Sequence, residues 1–323
     1  MNLGVEKAVM EKECLKEIRF LDYNKDETPL VSVATIAYNV AKFLPAAIES
    51  VLSQITSFRV ELVIGEDFST DNTREIALSY QQKYPQIIRV LCHEKNLGLT
   101  PNSVVTQNAC RGKYIALLDG DDYWTSPNKL QKQIEFLEKN IEYAGSGHQA
   151  TKVYEDGSPS KLFGESADKD YGLIDTITHR KFHTSSLVYK REIWVSAGGI
   201  PPNISSNERA IYPMVALFGK IRYFKDEMCV YRLSGANLSS RITHKELETD
   251  LNMLPWLKEL DPNFPSIRFK SFLHLCMYTY GRKISFFPLL KHYFLFTMLS
   301  FSYFPKNLGD LKWGTVFFFR RIK

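Results

Sequence analysis

Apolar and polar positions come in regular blocks along the first 140 residues. Leu30–Ile36 (LVSVATI) is apolar and rich in β-branched residues, which predicts a buried strand. Phe43–Ile55 then places Phe43, Leu44, Ala47, Ile48, Val51 and Leu52 at helical spacing. The alternation repeats through strand Val60–Ile64 and helix Thr73–Tyr84, then strand Ile87–Leu91 and helix Pro101–Cys110. Strand Tyr114–Leu118 and a helix opening near Pro127 complete it. Four strand–helix units in a row predict an α/β fold, with a mostly parallel sheet flanked by helices. After Lys139 the alternation breaks. Tyr143–Tyr154 reads as one or two strands, residues 157–170 as a loop, Phe182–Tyr189 as a strand and residues 198–207 as a second loop. Ile211–Phe218 reads as a helix, followed by short strands at Ile221–Phe224 and Met228–Tyr231. The expected organisation is a polar extension (1–28, with a short helix at Lys7–Phe20) and a catalytic domain (29–242, in halves 29–140 and 141–242). A helical region (243–323) follows.

Polar residues cluster where the predicted strands end: Tyr38-Asn39, Glu66-Asp67 and Asp119-Gly120-Asp121-Asp122. Open parallel sheets bind ligands beyond the carboxyl ends of their strands, so three such loops point to one crevice. Three carboxylates in four positions repel one another unless a cation sits among them. Hard oxygen ligands suit Mn²⁺ or Mg²⁺, which also take oxygens from phosphates. Gly120 is expected to allow a sharp turn there. Taken alone, the same acids would read as a solvated turn favouring the N-terminus of the next helix.

Charge adds a second feature. The chain carries a net +5, but Pro265–Lys323 holds ten Lys/Arg against the single acid Asp310, about +9. The remainder is therefore about −4. The basic segment is also rich in aromatics and leucines, while Pro288, Lys291 and His292 interrupt its apolar run. A spanning helix needs ~20 predominantly apolar residues. The pattern suits contact with an anionic membrane surface, with a packed helical subdomain or a dimer interface as the competing reading. Bulky aliphatics outnumber basic positions, which goes against nucleic acid. Oligomeric state is not encoded in any motif. No apolar leader follows Met1, and the five scattered cysteines have no metal-ligand spacing. A cytoplasmic protein, peripheral at the inner face of the cell membrane, is the expectation.

In order along the chain, from Val31 to Ser239, these stretches resemble the inverting nucleotide-sugar glycosyltransferases of family 2. The resemblance is carried by Ser32-Val33 through Tyr38-Asn39, by Ile64–Thr73 (IGEDFSTDNT) and by Asn96-Leu97-Gly98. Gly112–Trp124 (GKYIALLDGDDYW) and Lys129–Gln133 (KLQKQ) continue it. It implies a GT-A fold and a UDP-sugar donor. Tyr38 would lie against the base, and Asp67 of the Glu66-Asp67 pair would take its imide edge. Asp119 would reach the ribose, or the metal through water. Asp121 would ligate the cation, and Asp122 would orient the donor sugar. Asn207-Glu208-Arg209, Gly219-Lys220-Ile221 and Tyr231-Arg232 follow the family's later order, which makes Glu208 the catalytic base. A helix-start carboxylate is the alternative for Glu208, a packing aromatic for Tyr38, a turn residue for Asp67.

The departures are Ile36 where a proline is frequent, a Glu at 208 where Asp is usual, and no histidine from Leu233 to Asn237. His183, in an apolar run, reads as a satisfied core or cleft-wall residue, and Trp124 as packing. The implied acceptor is a glycan or a lipid-linked sugar in bacterial surface polysaccharide synthesis. A non-catalytic binding protein of the same fold is the competing class. A sugar-phosphate nucleotidyltransferase would want a Gly-rich loop after the first strand, and Ala37–Lys42 contains no glycine.

Overall fold

The computed structural model describes residues 28–233, 242–303 and 308–322. The expected helix at Lys7–Phe20 lies outside them. Strands β1 (Val31–Ala37), β2 (Val60–Glu66), β3 (Ile88–Cys92) and β4 (Tyr114–Asp119) alternate with α1 (Leu44–Leu52), α2 (Thr73–Lys83) and α3 (Leu99–Asn108). Then come β5 (Tyr123–Trp124), α4 (Lys129–Lys139), β6 (Tyr143–Tyr154), β7 (Lys161–Phe163), β8 (Lys169–Tyr171) and α5 (Leu173–Thr176). A 3₁₀ turn at Thr184–Ser186 leads to β9 (Val188–Lys190), α6 (Arg191–Ser196), α7 (Asn207–Leu217) and β10 (Lys220–Leu233). Helices α8 (His244–Glu248), α9 (Met253–Leu260), α10 (Ser266–Thr279), α11 (Phe286–Ser300) and α12 (Leu308–Ile322) close the chain.

One ten-stranded sheet runs β3-β2-β1-β4-β9-β6-β10-β5, with β7 added on β6 and β8 on β10. β3, β2, β1 and β4 are mutually parallel, so all four end on one side, where the polar loops meet. β9 is antiparallel to β4 and to β6, which makes the sheet mixed. Alternate residues of each strand feed opposite faces, as the period of two requires. Val33, Leu62, Ile64 and Leu118 pack with α1 and α4. Ala34, Val63, Ile115 and Leu117 belong to the core of the other face, with α6, α7 and α9. That second core does not stop at residue 242: Leu247, Met253, Leu257, Phe269, Leu273 and Met277 continue it.

Four sequence expectations change. Phe182–Tyr189 is not a strand throughout: Thr184–Ser186 forms a 3₁₀ turn, in which Ser186 Oγ donates to His183 O at 2.7 Å while the Thr184 and Ser185 hydroxyls reach Glu208 and Asp122. Residues 157–170 include two short strands, and 220–233 form one long strand with register shifts along β6. Gly120 matters for closeness rather than for its turn: its N–H donates to Ile36 O at 3.1 Å. A Cβ there would sit 2.8 Å from that oxygen.

Candidate active site

The loop after β1 is braced by the loop after β2. Asn39 N–H donates to Ser69 Oγ (3.1 Å), Val40 N–H to Thr73 Oγ1 (2.9 Å) and Ala41 N–H to Asp71 Oδ2 (3.1 Å). Asn39 takes a left-handed φ of 51°, which a short polar side chain tolerates. The result leaves Tyr38 exposed at the strand end, free to face a ligand.

The acids after β2 have internal duties. Glu66 is fully buried; Oε1 accepts the Ser69 N–H at 2.7 Å and Oε2 pairs with Arg74. Burial would raise its pKa, but Ser69 and Arg74 hold the carboxyl below its ordinary value. Glu66, expected among the donor-binding residues, is fully buried and shapes the loop through Ser69 and Arg74. Asp67 accepts the Leu97 and Gly98 N–H groups at 2.7 and 2.9 Å, one on each oxygen. It holds the 96–98 turn, and each oxygen retains a lone pair.

The strand end of β4 carries the acidic cluster. Ligand atoms of Asp119, Asp122 and His183 lie within 4.8 Å of one another. Asp122 is buried and accepts the Ser185 hydroxyl (2.7 Å), the Arg232 N–H (2.9 Å) and His183 Nε2. Asp122, expected to orient the donor sugar, orients His183 through Oδ2 and accepts the Arg232 N–H on Oδ1. His183 stacks on Tyr231, with ring centroids 4.0 Å apart. Its Nδ1 is buried and has no hydrogen-bond partner among the described residues. Burial, then Asp122 and Asp121, push the Asp119 carboxyl well up. Burial and Asp122 push Asp121 to about 7. A cluster that resists ionisation in the absence of a counter-charge is chemically suited to a divalent cation. The orphaned His183 nitrogen, oriented by a carboxylate on its other side, is a further fitting donor. Asp121, the expected principal ligand, stands at the same turn but outside the three-residue group.

Glu208 opens α7 and lies near enough for its charge to contribute to the rise at Asp119. Its Oε2 accepts from Arg180 Nη1 at 2.7 Å and from the Thr184 hydroxyl at 3.3 Å. Burial alone would raise its pKa; Arg180 and Arg209 outweigh that and hold the carboxyl below its usual value. Asp250, between α8 and α9, locks the approach to α7. It accepts from Ser205 N–H (2.8 Å), Ser205 Oγ (2.9 Å) and Ser206 N–H (3.1 Å), and pairs with Arg209 at 2.7 Å. Sequence reasoning missed Arg180, Asp250 and the role of His183. The one local signal was the polar run His183–Ser186 inside an otherwise apolar stretch.

A parallel sheet with acids at its strand ends and a second, mixed half completing the cleft is the GT-A class of fold. The crystal structure of S. aureus TarS 1-349 in complex with UDP-GlcNAc shares it, with a TM-score of 0.63 at 17% identity, over 87% of this chain and 83% of that one. Residues 32–190 match the model of Glycosyl transferase family 2, and over this stretch the chain belongs to that family. The Mycobacterium tuberculosis protein Rv1520 is 34% identical over 203 residues, covering 62% of this chain and 58% of that relative. The Escherichia coli UDP-Glc:alpha-D-GlcNAc-diphosphoundecaprenol beta-1,3-glucosyltransferase WfaP is 36% identical over 111 residues, 34% of this chain and 41% of its own.

Proposed function

We propose that this protein is an inverting glycosyltransferase that moves a sugar from a UDP-sugar to a hydroxyl of a lipid-linked or polysaccharide glycan in bacterial surface polysaccharide synthesis. The observation that carries the reading is that one 3₁₀ turn meets both groups: Thr184 donates to Glu208, at the start of α7, at 3.3 Å, and the next residue, Ser185, accepts the Asp119 N–H at the end of β4 at 3.1 Å. A base and a diphosphate-binding acid cluster then flank one cleft. Support for the donor comes from the UDP-GlcNAc complex of TarS, and for a lipid-diphosphate acceptor from the printed activity of WfaP.

In this scheme Tyr38 stacks on the uracil and Asp67 offers its remaining lone pairs to the imide edge. Asp119 and Asp121, with His183 held by Asp122, would hold Mn²⁺ or Mg²⁺. That ion, when bound, neutralises charge building on the departing diphosphate. Glu208 accepts the proton of the acceptor hydroxyl. The oxygen's electron pair forms the new bond to the anomeric carbon as the bond to UDP breaks, and its electrons leave on the β-phosphate oxygen. Single displacement inverts the anomeric configuration. Residues 265–323 would keep the protein at the cytoplasmic face of the membrane.

A panel of UDP-sugars assayed for metal-dependent UDP release tests the reading. Asp121→Ala is expected to abolish release with every donor. Glu208→Gln should keep UDP binding while transfer falls by about 10²–10⁴-fold. Absence of both UDP binding and UDP release across the panel would overturn the reading.

A further inference from the structure

Helix α11 is apolar on two opposite sides. Leu289, His292, Phe296 and Ser300 face inward, where Leu289 and Phe296 join a small core with Phe272, Tyr278 and Phe318. Phe287, Leu290, Phe294, Met298 and the following Phe301 share the other side and are exposed, Phe287 by 80% and Phe301 by 66%. Their steps of three and four residues keep them in one row. A helix apolar all round is ordinarily covered, and a continuous exposed row of this kind marks a contact surface.

Charge decides what covers it. Arg282 and Lys283 are exposed just ahead of the helix, whereas Lys291, exposed on the same side as the row, is already paired with Glu248 at 3.3 Å. Lys312 and Arg320 are exposed on α12, which packs on α11 through the Tyr293–Phe318 ring stack. The one acid of Pro265–Lys323, Asp310, is already paired with His179 at 2.9 Å. A second copy seated symmetrically on the row would bring Arg282, Lys283, Lys312 and Arg320 against their own counterparts with no acid of the segment to answer them. An anionic headgroup layer answers them directly, while the aromatic row enters the acyl boundary. At ~1.5 Å per residue this helix is only about 22 Å long, so it would lie along a bilayer. Among the described residues no helix is long and apolar enough to cross one.

We propose that the Phe287–Phe301 face of α11, with the basic residues around it, docks on an anionic phospholipid surface. The docking helices are also tied to the candidate site. Asp310 of α12 holds His179, and the next residue, Arg180, pairs with Glu208. The docked face would thus fix the orientation of the cleft toward the membrane. That purpose rests on the glycosyl-transfer reading, whereas lipid binding itself does not.

The test is vesicle flotation of the full chain with phosphatidylcholine alone and with phosphatidylglycerol added. Wild type should float with the anionic vesicles and be released by high salt. Phe287→Glu combined with Phe294→Glu should lower vesicle affinity at least about tenfold, since two rings leave the acyl boundary and two negative charges face an anionic surface. Both side chains are exposed, so the circular dichroism and any release of UDP into water should stay unchanged. No flotation of wild type, equal flotation of the double variant, or a concentration-dependent dimer that the double variant abolishes without a loss of flotation would each overturn the proposal. Flotation without any UDP-sugar turnover would leave the docking face standing and count against the catalytic reading alone.

Discussion

Glu208 sits between two opposing influences, and the balance predicts its pH behaviour. Burial favours the protonated acid, but the Arg180 and Arg209 guanidiniums outweigh it, so the carboxylate persists below its ordinary range. The general base proposed here must be unprotonated to act, so a depressed pKa would keep it working toward acid pH. Arg180→Gln keeps a hydrogen-bond donor and removes the charge. The Glu208 pKa should then rise, and the acidic limb of the rate–pH profile should move toward neutrality. The linked stability has the same sign. A depressed carboxyl pKa stabilises the fold above the unfolded value of ~4.3, and the gain is lost as pH falls through the folded value. Arg180→Gln should therefore cost more stability at neutral pH than at pH ~3, and no more than about 1 kcal/mol for this partly exposed pair. Urea titrations at the two pH values check it. At this scale the sequence made Tyr38, Asp119 and Asp121 legible because they are consecutive with a strand end. It could not reveal that His183 meets Asp122, 61 positions away, or that the Glu66 charge is cancelled by Arg74. Those partners are chosen by how loops return.

Strands β1 to β4 fall within one or two residues of their sequence-based limits, because buried parallel strands are marked by β-branched apolar runs. The error at Phe182–Tyr189 has the opposite cause. Its apolar ends look like a strand, but Ser186 Oγ satisfies the His183 carbonyl locally, and tertiary demand from Asp119 and Asp122 turns the chain. Ser185 Oγ accepts the Asp119 N–H at 3.1 Å and donates to Asp122 at 2.7 Å. Packing of β2 on α3 offers a clean test of how closely elements meet. A Cβ on Gly65 would lie 2.0 Å from Thr106 Oγ1 and 2.3 Å from Asn102 Oδ1. Both side chains are buried and hydrogen-bonded, and Asn102 Nδ2 donates to Gly65 O at 2.9 Å. Gly65→Ala must therefore push α3 off the sheet or break that bond. The expected loss is about 1–3 kcal/mol, read as a lower urea midpoint with an unchanged slope.

The segregation of charge between the chain's C-terminal fifth and the rest was visible in composition, but the extent of the catalytic core was not. A boundary near residue 242 suggests itself because the strand–helix pattern has ended. The packing continues regardless, since α9 and α10 cover the same sheet face as α7. The link is polar as well as apolar, and Asp250 is its centre. It is 1% exposed, accepts three hydrogen bonds from Ser205 and Ser206, and neutralises Arg209, the neighbour of Glu208. Removing one partner of a buried ion pair leaves an uncompensated charge and typically costs about 3–5 kcal/mol. Arg209 keeps some solvent contact, with 19% of its side chain exposed, so Asp250→Ala should fall near the lower end, about 3 kcal/mol. Asp250→Asn preserves acceptors for the Ser205 and Ser206 donors and should lose less. Because the segment shares the sheet's core, unfolding should remain one cooperative event. Tryptophan fluorescence, summed over Trp124 on β5, Trp194 on α6, Trp256 on α9 and Trp313 on α12, and far-ultraviolet dichroism should give coincident transitions in both variants. A separate early transition would mean that α8–α10 fold apart from the sheet, and that Asp250 does not brace the start of α7.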